Sequence, residues 1–386
     1  MRAQHLRQVL LVVIAALVGL GLVAVYSASA MAGRQTYGQD FYFLTRHVVA
    51  TLLGLGLGMG CLLVPYPTVR AWAKWIVFGS LCLLVIVFLL GHEAGGARRW
   101  FRLGRWSFQP SEIAQLALVL YLADVMARKR AWIRDFWQGV LPPLLVTGVG
   151  AGLVLLQPDL GTAVVMGGTV LVMLLVARAR WQHVALVAAV AAAAFVLLVA
   201  GAEYRRQRLL VFLNPWQDPG GAGYQILQSY FALARGGLIG HGLGGSLQKL
   251  FYLPGVHTDF IFAIIGEELG LLGTTAIMAL FALLVLCGFR LAMLAEDAFS
   301  KYLICGLVAL IGMEALVNMA VVTGLLPTKG LPLPFISYGG TATVMNLVAC
   351  ALILKASRSS DLRMALAQAD RKRLLEIRSA RSLGRR

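Results

Sequence analysis

Apolar residues in this chain come in long unbroken runs, with polar residues confined to the gaps between them. A run must hold about 17 to 25 residues to cross the hydrocarbon core of a bilayer as a helix. Such runs fall at 9–29, 47–65, 74–91, 110–126, 138–157, 161–177, 183–201, 260–289, 302–326 and 335–355. They predict an all-α polytopic membrane protein of about ten transmembrane helices, its tightest turn at Gln157–Gly161 and one long loop, 202–259, between helices 7 and 8. Within that loop, 223–235 reads as a short helix lying on the membrane face. The first run is long, and no small-residue cleavage site leads from it into a soluble domain, so it is expected to remain as a span. Residues 1–355 are thus expected to form one membrane domain and 356–386 a basic tail.

Composition supports the bilayer: 59% of residues are hydrophobic and 13% charged, where a soluble domain carries roughly 25% charged residues. Cys61, Cys82, Cys287, Cys305 and Cys350 all lie in apolar runs and read as small packing residues. The six histidines show no metal-ligand spacing. A net charge of +17 would suit nucleic acid, but its distribution fits a membrane better. With the N-terminus in the cytoplasm, 22 of the 34 lysines and arginines fall on the cytoplasmic side, ten of them between Lys355 and Arg386. An even number of spans returns the C-terminus to the same side. The tail then reads as a contact for anionic membrane lipids, and nucleic acid is not an expected partner.

The remaining basic residues run against this trend. Arg98, Arg99, Arg102 and Arg105 precede helix 4, Arg205, Arg206, Arg208, Arg235 and Lys249 lie in the long loop, and Lys329 precedes the last helix. They read either as a solvated surface or, taken together, as an outward anion site suited to a phosphate or diphosphate. Three polar segments face the same side. Phe108-Gln109-Pro110-Ser111-Glu112 opens helix 4, and Tyr252–Gly270 brings Asp259 to the membrane edge with Glu267 and Glu268 about two turns deeper. The third, 325–346, is rich in proline and glycine and opens the last helix near Ser337. Carboxylates at or inside a bilayer commonly mark a site. Each also has a structural reading: Pro110 and Glu112 as helix-initiation chemistry, Asp259 as a cap, Glu267 and Glu268 as ion-pair partners. Irregular backbone at membrane depth needs a cover of protein or a water-filled cavity, so these segments are expected to line one.

Five stretches carry a resemblance: FQPSEIA (108–114), QPDLGTA (157–163), NPWQDPGGAGYQILQS (214–229), GHGLGGSLQKLFYLPGVHTDFIFAIIGEELG (240–270) and GLLPTKGLPLPFISYGG (324–340). In this order they resemble the SEDS family (shape, elongation, division and sporulation proteins). NPW, SLQKLFYLP and PTKGLPLP are most similar to its cell-division, FtsW-type branch; elongation (RodA-type) and sporulation paralogues are the alternatives. The chain departs from the family at Gln115, often lysine, at Gly255, often acidic, and at Thr341 and Ala342, often serine.

The resemblance implies a peptidoglycan glycosyltransferase of the bacterial inner membrane that polymerises lipid II, a disaccharide-pentapeptide on a polyprenyl diphosphate, at the division septum. It also implies a class B penicillin-binding protein (the septal transpeptidase) and other division proteins as partners. In that reaction a sugar hydroxyl loses its proton and attacks an anomeric carbon while a lipid diphosphate leaves. A carboxylate at the membrane surface can act as general base, and Mg²⁺ or Mn²⁺ with basic side chains can neutralise the leaving group. Asp259 is the expected base. Glu112 is expected to position metal or substrate, Arg235, Lys249, His257, Thr258 and Lys329 to contact substrate, and Ser337 to line the cavity. Glu267 and Glu268 are expected to hold the bundle together, since helical spacing cannot place adjacent residues on one face. The same cavity would suit a lipid II flippase, and the same membrane domain a scaffold for the transpeptidase.

Overall fold

The computed structural model describes residues 3–94, 97–104, 106–201, 203–221, 223–250, 252–328 and 330–358. Lys329, Arg105 and the tail from 359 onward lie outside them. Helices α1 (Ala3–Tyr37), α2 (Tyr42–Leu63) and α3 (Tyr66–Leu90) lead into a small sheet, followed by α4 (Pro110–Arg128), α5 (Leu141–Leu156), α6 (Leu160–Val176) and α7 (Trp181–Ala200). The long loop holds α8 (Glu203–Leu213) and α9 (Tyr224–Gly236), after which α10 (Ile261–Leu294), α11 (Ala298–Val322) and α12 (Gly340–Arg358) complete the bundle.

Among the described residues nine helices, counting α5 with the wide turn Phe136–Val140 before it, are long and apolar enough to span. The tenth, α6, has 17 residues, at the short end of what a span needs. The chain is therefore a multi-pass membrane protein. It differs from the all-α expectation in β1 (His92–Ala94), β2 (Ala97–Leu103) and β3 (Trp106–Phe108), an antiparallel sheet with β2 at its centre. His92 pairs with Trp100 and Phe101 with Phe108.

Capping chemistry fixes several helix starts. Asp159 opens α6 by accepting from the Thr162 N–H (3.1 Å), and Asp297 opens α11 by accepting from the Ser300 N–H (2.9 Å). Helices α4, α11 and α12 form the buried centre, whereas α7 exposes most of its surface. Helix α11 packs on α4, α6 and α10; α1 packs on α2 and α10.

Helix α10 is broken in its first third, where Gly270 takes φ +65°. In a regular helix Leu271 and Leu272 would donate to the carbonyls of Glu267 and Glu268. Here the segment after α9 slots into the opening. Leu271 and Leu272 donate to Gly237 and Leu238 (2.9 and 3.1 Å), while Glu267 and Glu268 accept from His241 and Gly242 (3.1 and 2.9 Å). All four backbone groups regain partners, as burial in a bilayer demands. The crossing is so close that a Cβ on Gly240 would lie 2.2 Å from the Glu268 carbonyl oxygen.

Candidate functional site

The 325–338 segment is stapled to the start of α10 through backbone groups. The Ser337 hydroxyl donates to the Thr258 carbonyl (2.6 Å) and accepts from the Leu333 N–H (2.8 Å). The Tyr338 N–H donates to the His257 carbonyl (2.8 Å). From α11, the Asn318 amide donates both to the Asp259 carbonyl (2.9 Å) and to the Leu331 carbonyl (2.7 Å). Every one of these contacts holds main chain. Among the described residues no donor bonds the Asp259 carboxylate, and Phe260, which occupies the cap position of α10, makes no side-chain cap bond. Asp259 is therefore not the cap of its helix. Its Oδ2 lies 3.2 Å from where a Cβ on residue 330 would stand, so glycine at Gly330 leaves the carboxylate room.

The second wall comes from β2 and the α5–α6 turn. Arg99 donates through Nε to the Gln157 carbonyl and through Nη2 to the Pro158 carbonyl, both at 2.6 Å. This pins the turn that presents Asp159, whose oxygens accept from the Thr162 N–H and hydroxyl (3.1 and 3.0 Å). Burial, aided by the Asp159 carboxylate, pushes the Asp259 carboxyl up from 3.8 to about 6, against the pull of the Arg99 guanidinium. An adjoining cleft of about 70 Å³ is lined by Arg99, Asp159, Arg208, Thr328 and Gly330 among others.

Glu112 lies one layer further in. It sits in the first turn of α4, 6% exposed, within electrostatic reach of Asp159 and of Glu314 on α11. Glu314 accepts from the Asn346 amide of α12 at 3.3 Å. The Gln109 N–H ahead of α4 donates to the Thr341 hydroxyl at the start of α12 (3.1 Å), so α4, α11 and α12 meet around this group.

Lys249 and Arg235, also expected at the site, are engaged with the carboxylates of α10 instead. Lys249 is buried against Glu268 (2.9 Å), which also accepts from Ser27 of α1 (2.6 Å). Arg235 pairs with Glu267 at 3.3 Å, and Glu267 accepts from the N–H groups of Leu247 and Gln248 (3.0 and 3.2 Å) and from the Ser246 hydroxyl. Both cations are thereby engaged in holding the loop to α10. The His257 ring lies against Phe43 and Tyr338, centroids 4.6 and 5.7 Å away. Burial pushes its imidazole down to about 4, so it is neutral near pH 7 and offers no charge to a diphosphate. Thr258 donates its hydroxyl to the Gly255 carbonyl (3.2 Å).

Sequence reasoning did not single out Glu314 or Asn318. Glu314 is the one charged residue in the 302–326 run and Asn318 stands one turn on, a signal that intramembrane polarity alone provides.

Among the described residues no group of three or more His, Cys, Asp and Glu side chains is arranged to hold a metal ion, and Asp159 has both oxygens on Thr162. A preformed cation cage does not fit. A divalent ion travelling with a diphosphate would need only one or two protein carboxylates.

Fold and site define a multi-pass membrane protein with a half-buried carboxylate, unbonded among the described residues, at one end of its helix bundle. A family model named for FtsW, RodA and SpoVE, described as "Cell cycle protein", matches residues 7–362. A Geobacter sulfurreducens protein named "Probable peptidoglycan glycosyltransferase FtsW" is 44% identical over 351 residues, 90% of this chain and 94% of its own. "Stage V sporulation protein E" of Bacillus subtilis is 40% identical over 91% of this chain and 96% of its own. Among solved structures, a chain from work on "structural coordination of polymerization and crosslinking by a peptidoglycan synthase complex" superposes with a TM-score of 0.75. It is 32% identical over 91% of this chain and 97% of its own. This chain belongs to the FtsW/RodA/SpoVE family, the SEDS proteins.

Proposed function

We propose that the protein is a peptidoglycan glycosyltransferase that polymerises lipid II during septal wall synthesis, with Asp259 as the general base. The observation that carries this reading is the state of the Asp259 carboxylate. Its backbone is clamped by Asn318, its oxygens are free of donors among the described residues, and its carboxyl sits at about 6. A base works best when its pKa lies near the working pH.

In the proposed step an acceptor sugar hydroxyl gives its proton to an Asp259 oxygen. The hydroxyl oxygen forms a bond to the donor's anomeric carbon as the bond from that carbon to the diphosphate breaks. Arg99 and Arg208 give the adjoining cleft its positive charge and would stabilise the departing diphosphate. Magnesium or manganese is proposed as a companion of the diphosphate rather than as a resident ion.

The relatives' names support the division branch, with sporulation as the nearer alternative. The solved synthase complex supports a cross-linking partner, which we take to be a class B penicillin-binding protein. One observation favours a second reading: Glu112 and Glu314 extend polar chemistry inward from the cleft, as a flippase path would need. Labelled lipid II incubated with the purified protein, with and without that partner and Mg²⁺, decides between them. Glycan strands that lengthen with time support polymerisation; lipid translocation in vesicles without strand growth supports transport.

A further inference from the structure

A second pocket lies at the opposite ends of α4 and α11 from the carboxylate cluster. It is larger, about 410 Å³, and is built from three helices: Tyr66, Arg70 and Lys74 at the start of α3, Asp124 and Arg128 at the end of α4, and Phe299 at the start of α11. The distribution of basic residues puts this end in the cytoplasm.

The acids of this pocket are fully engaged. Asp124 accepts from Arg70 Nε through one oxygen (2.8 Å) and pairs with Arg128 through the other (2.6 Å). Asp297, also lining it, caps α11, accepting from the Ser300 N–H and hydroxyl (2.9 and 2.5 Å). Three cations thus face two carboxylates whose oxygens already have partners, so the net charge presented outward is positive. Arg70 also lies over the Phe299 ring, 5.2 Å from its centroid, which with the Asp124 pair fixes its direction. Lys74 rests over Trp75 (5.2 Å) and is exposed.

The surroundings identify the anion. Trp75 is exposed beside Lys74 and Trp72 is exposed at the same level on another face of α3, and the same helix exposes Phe78, Val85, Ile86 and Leu89 further along. Exposed tryptophans of this kind mark the headgroup level, and the apolar stripe beyond them marks acyl-chain depth. A phosphate-bearing group in this pocket would therefore have a place for its chains along α3.

We propose that the pocket holds the phosphodiester headgroup of an anionic phospholipid of the cytoplasmic leaflet, bridging α3, α4 and α11. Basic pockets between membrane helices on this side bind such headgroups, and each nearby Lys or Arg favours them by a factor of about five.

The test uses the full chain in phosphatidylethanolamine vesicles or nanodiscs with and without phosphatidylglycerol, retained lipid being counted by native mass spectrometry. The basic tail is present throughout, so differences between variants report the pocket. Lys74→Gln and Arg128→Gln should each lower phosphatidylglycerol retention about fivefold and leave phosphatidylethanolamine retention unchanged. Lys74→Arg should retain the wild-type level. Lys74 donates to no described residue, so Lys74→Gln and Lys74→Arg test the pocket without disturbing the fold, whereas Arg128→Gln also removes a partner of Asp124. Unaltered phosphatidylglycerol retention in both Gln variants would overturn the proposal. So would displacement of the lipid by millimolar inorganic phosphate, which would make this a site for soluble phosphate.

Discussion

Replacing Asp259 by Asn separates chemistry from architecture at a single side chain. The amide keeps the size of the carboxyl but cannot take a proton from a sugar hydroxyl. General base catalysis contributes typically about 10²–10⁴-fold, and strand formation from labelled lipid II should fall by that factor with partner and Mg²⁺ present. Stability should move the other way. The contacts that hold this turn, Asn318 to the Asp259 carbonyl and Ser337 to the Thr258 carbonyl, use main chain only, and Asn leaves them intact. Raising the carboxyl from 3.8 to about 6 corresponds to at most roughly 3 kcal/mol of unfavourable charge burial, reduced by the partial solvent exposure of the group.

The sign follows from linkage. A carboxyl whose pKa is higher in the folded state favours the folded protein only when protonated, so its charge weakens folding above about pH 6, and that penalty fades towards pH 4. The Asn variant should thus melt no lower than wild type at pH 7.5 and lose any advantage near pH 4. An Asp259→Asn protein that polymerises lipid II near the wild-type rate would show that this carboxylate is not the base. One that is inactive because it melts far lower would show that the carboxylate holds the fold.

Other expectations follow from the same geometry. The pH profile of polymerisation should show an acid limb centred near 6; a limb near 4 would mean that the working carboxyl is an ordinary solvated one. Asn318→Ala strips the Asp259 and Leu331 carbonyls of their donor, at about 1–3 kcal/mol for each unsatisfied group. It should lower both the melting temperature and the rate, whereas a drop in rate alone would assign Asn318 to substrate. Chelation by EDTA should suppress polymerisation, and Glu112→Gln should raise the Mg²⁺ concentration needed for half-maximal rate. Full activity in EDTA would leave the diphosphate to Arg99, Arg208 and their neighbours.

Much of this molecule is legible as text because a bilayer forces long apolar runs. The run at 161–177 became Leu160–Val176 and the helix expected at 223–235 became Tyr224–Gly236. Where polarity and apolarity mix, the text is less clear. The arginine-rich stretch before α4 folds as a sheet, and its strands are too short and too charged to show alternation. α8 is charged at its start and reads as loop. The candidate site was legible where polar residues broke a run at its edge, as at Asp259 and Ser337. It was hidden where they lay inside one, as at Glu314 and Asn318. The commitment of Lys249 and Arg235 to Glu268 and Glu267 depends on the opening at Gly270, since a continuous helix would leave no gap for the loop that carries Lys249.

That opening also bears on how this chain can change. Surface loops ordinarily absorb insertions and deletions at little cost, and 237–250, poor in regular structure, looks like such a loop. Yet its first residues take the place of a missing turn of α10, and Lys249 is matched to Glu268 from the far side. Adding or removing one residue between Gly237 and Gly242 would put the pairing out of register and strand two donors and two acceptors in a membrane helix. In its tolerance of length variation, this loop is part of the helix it crosses.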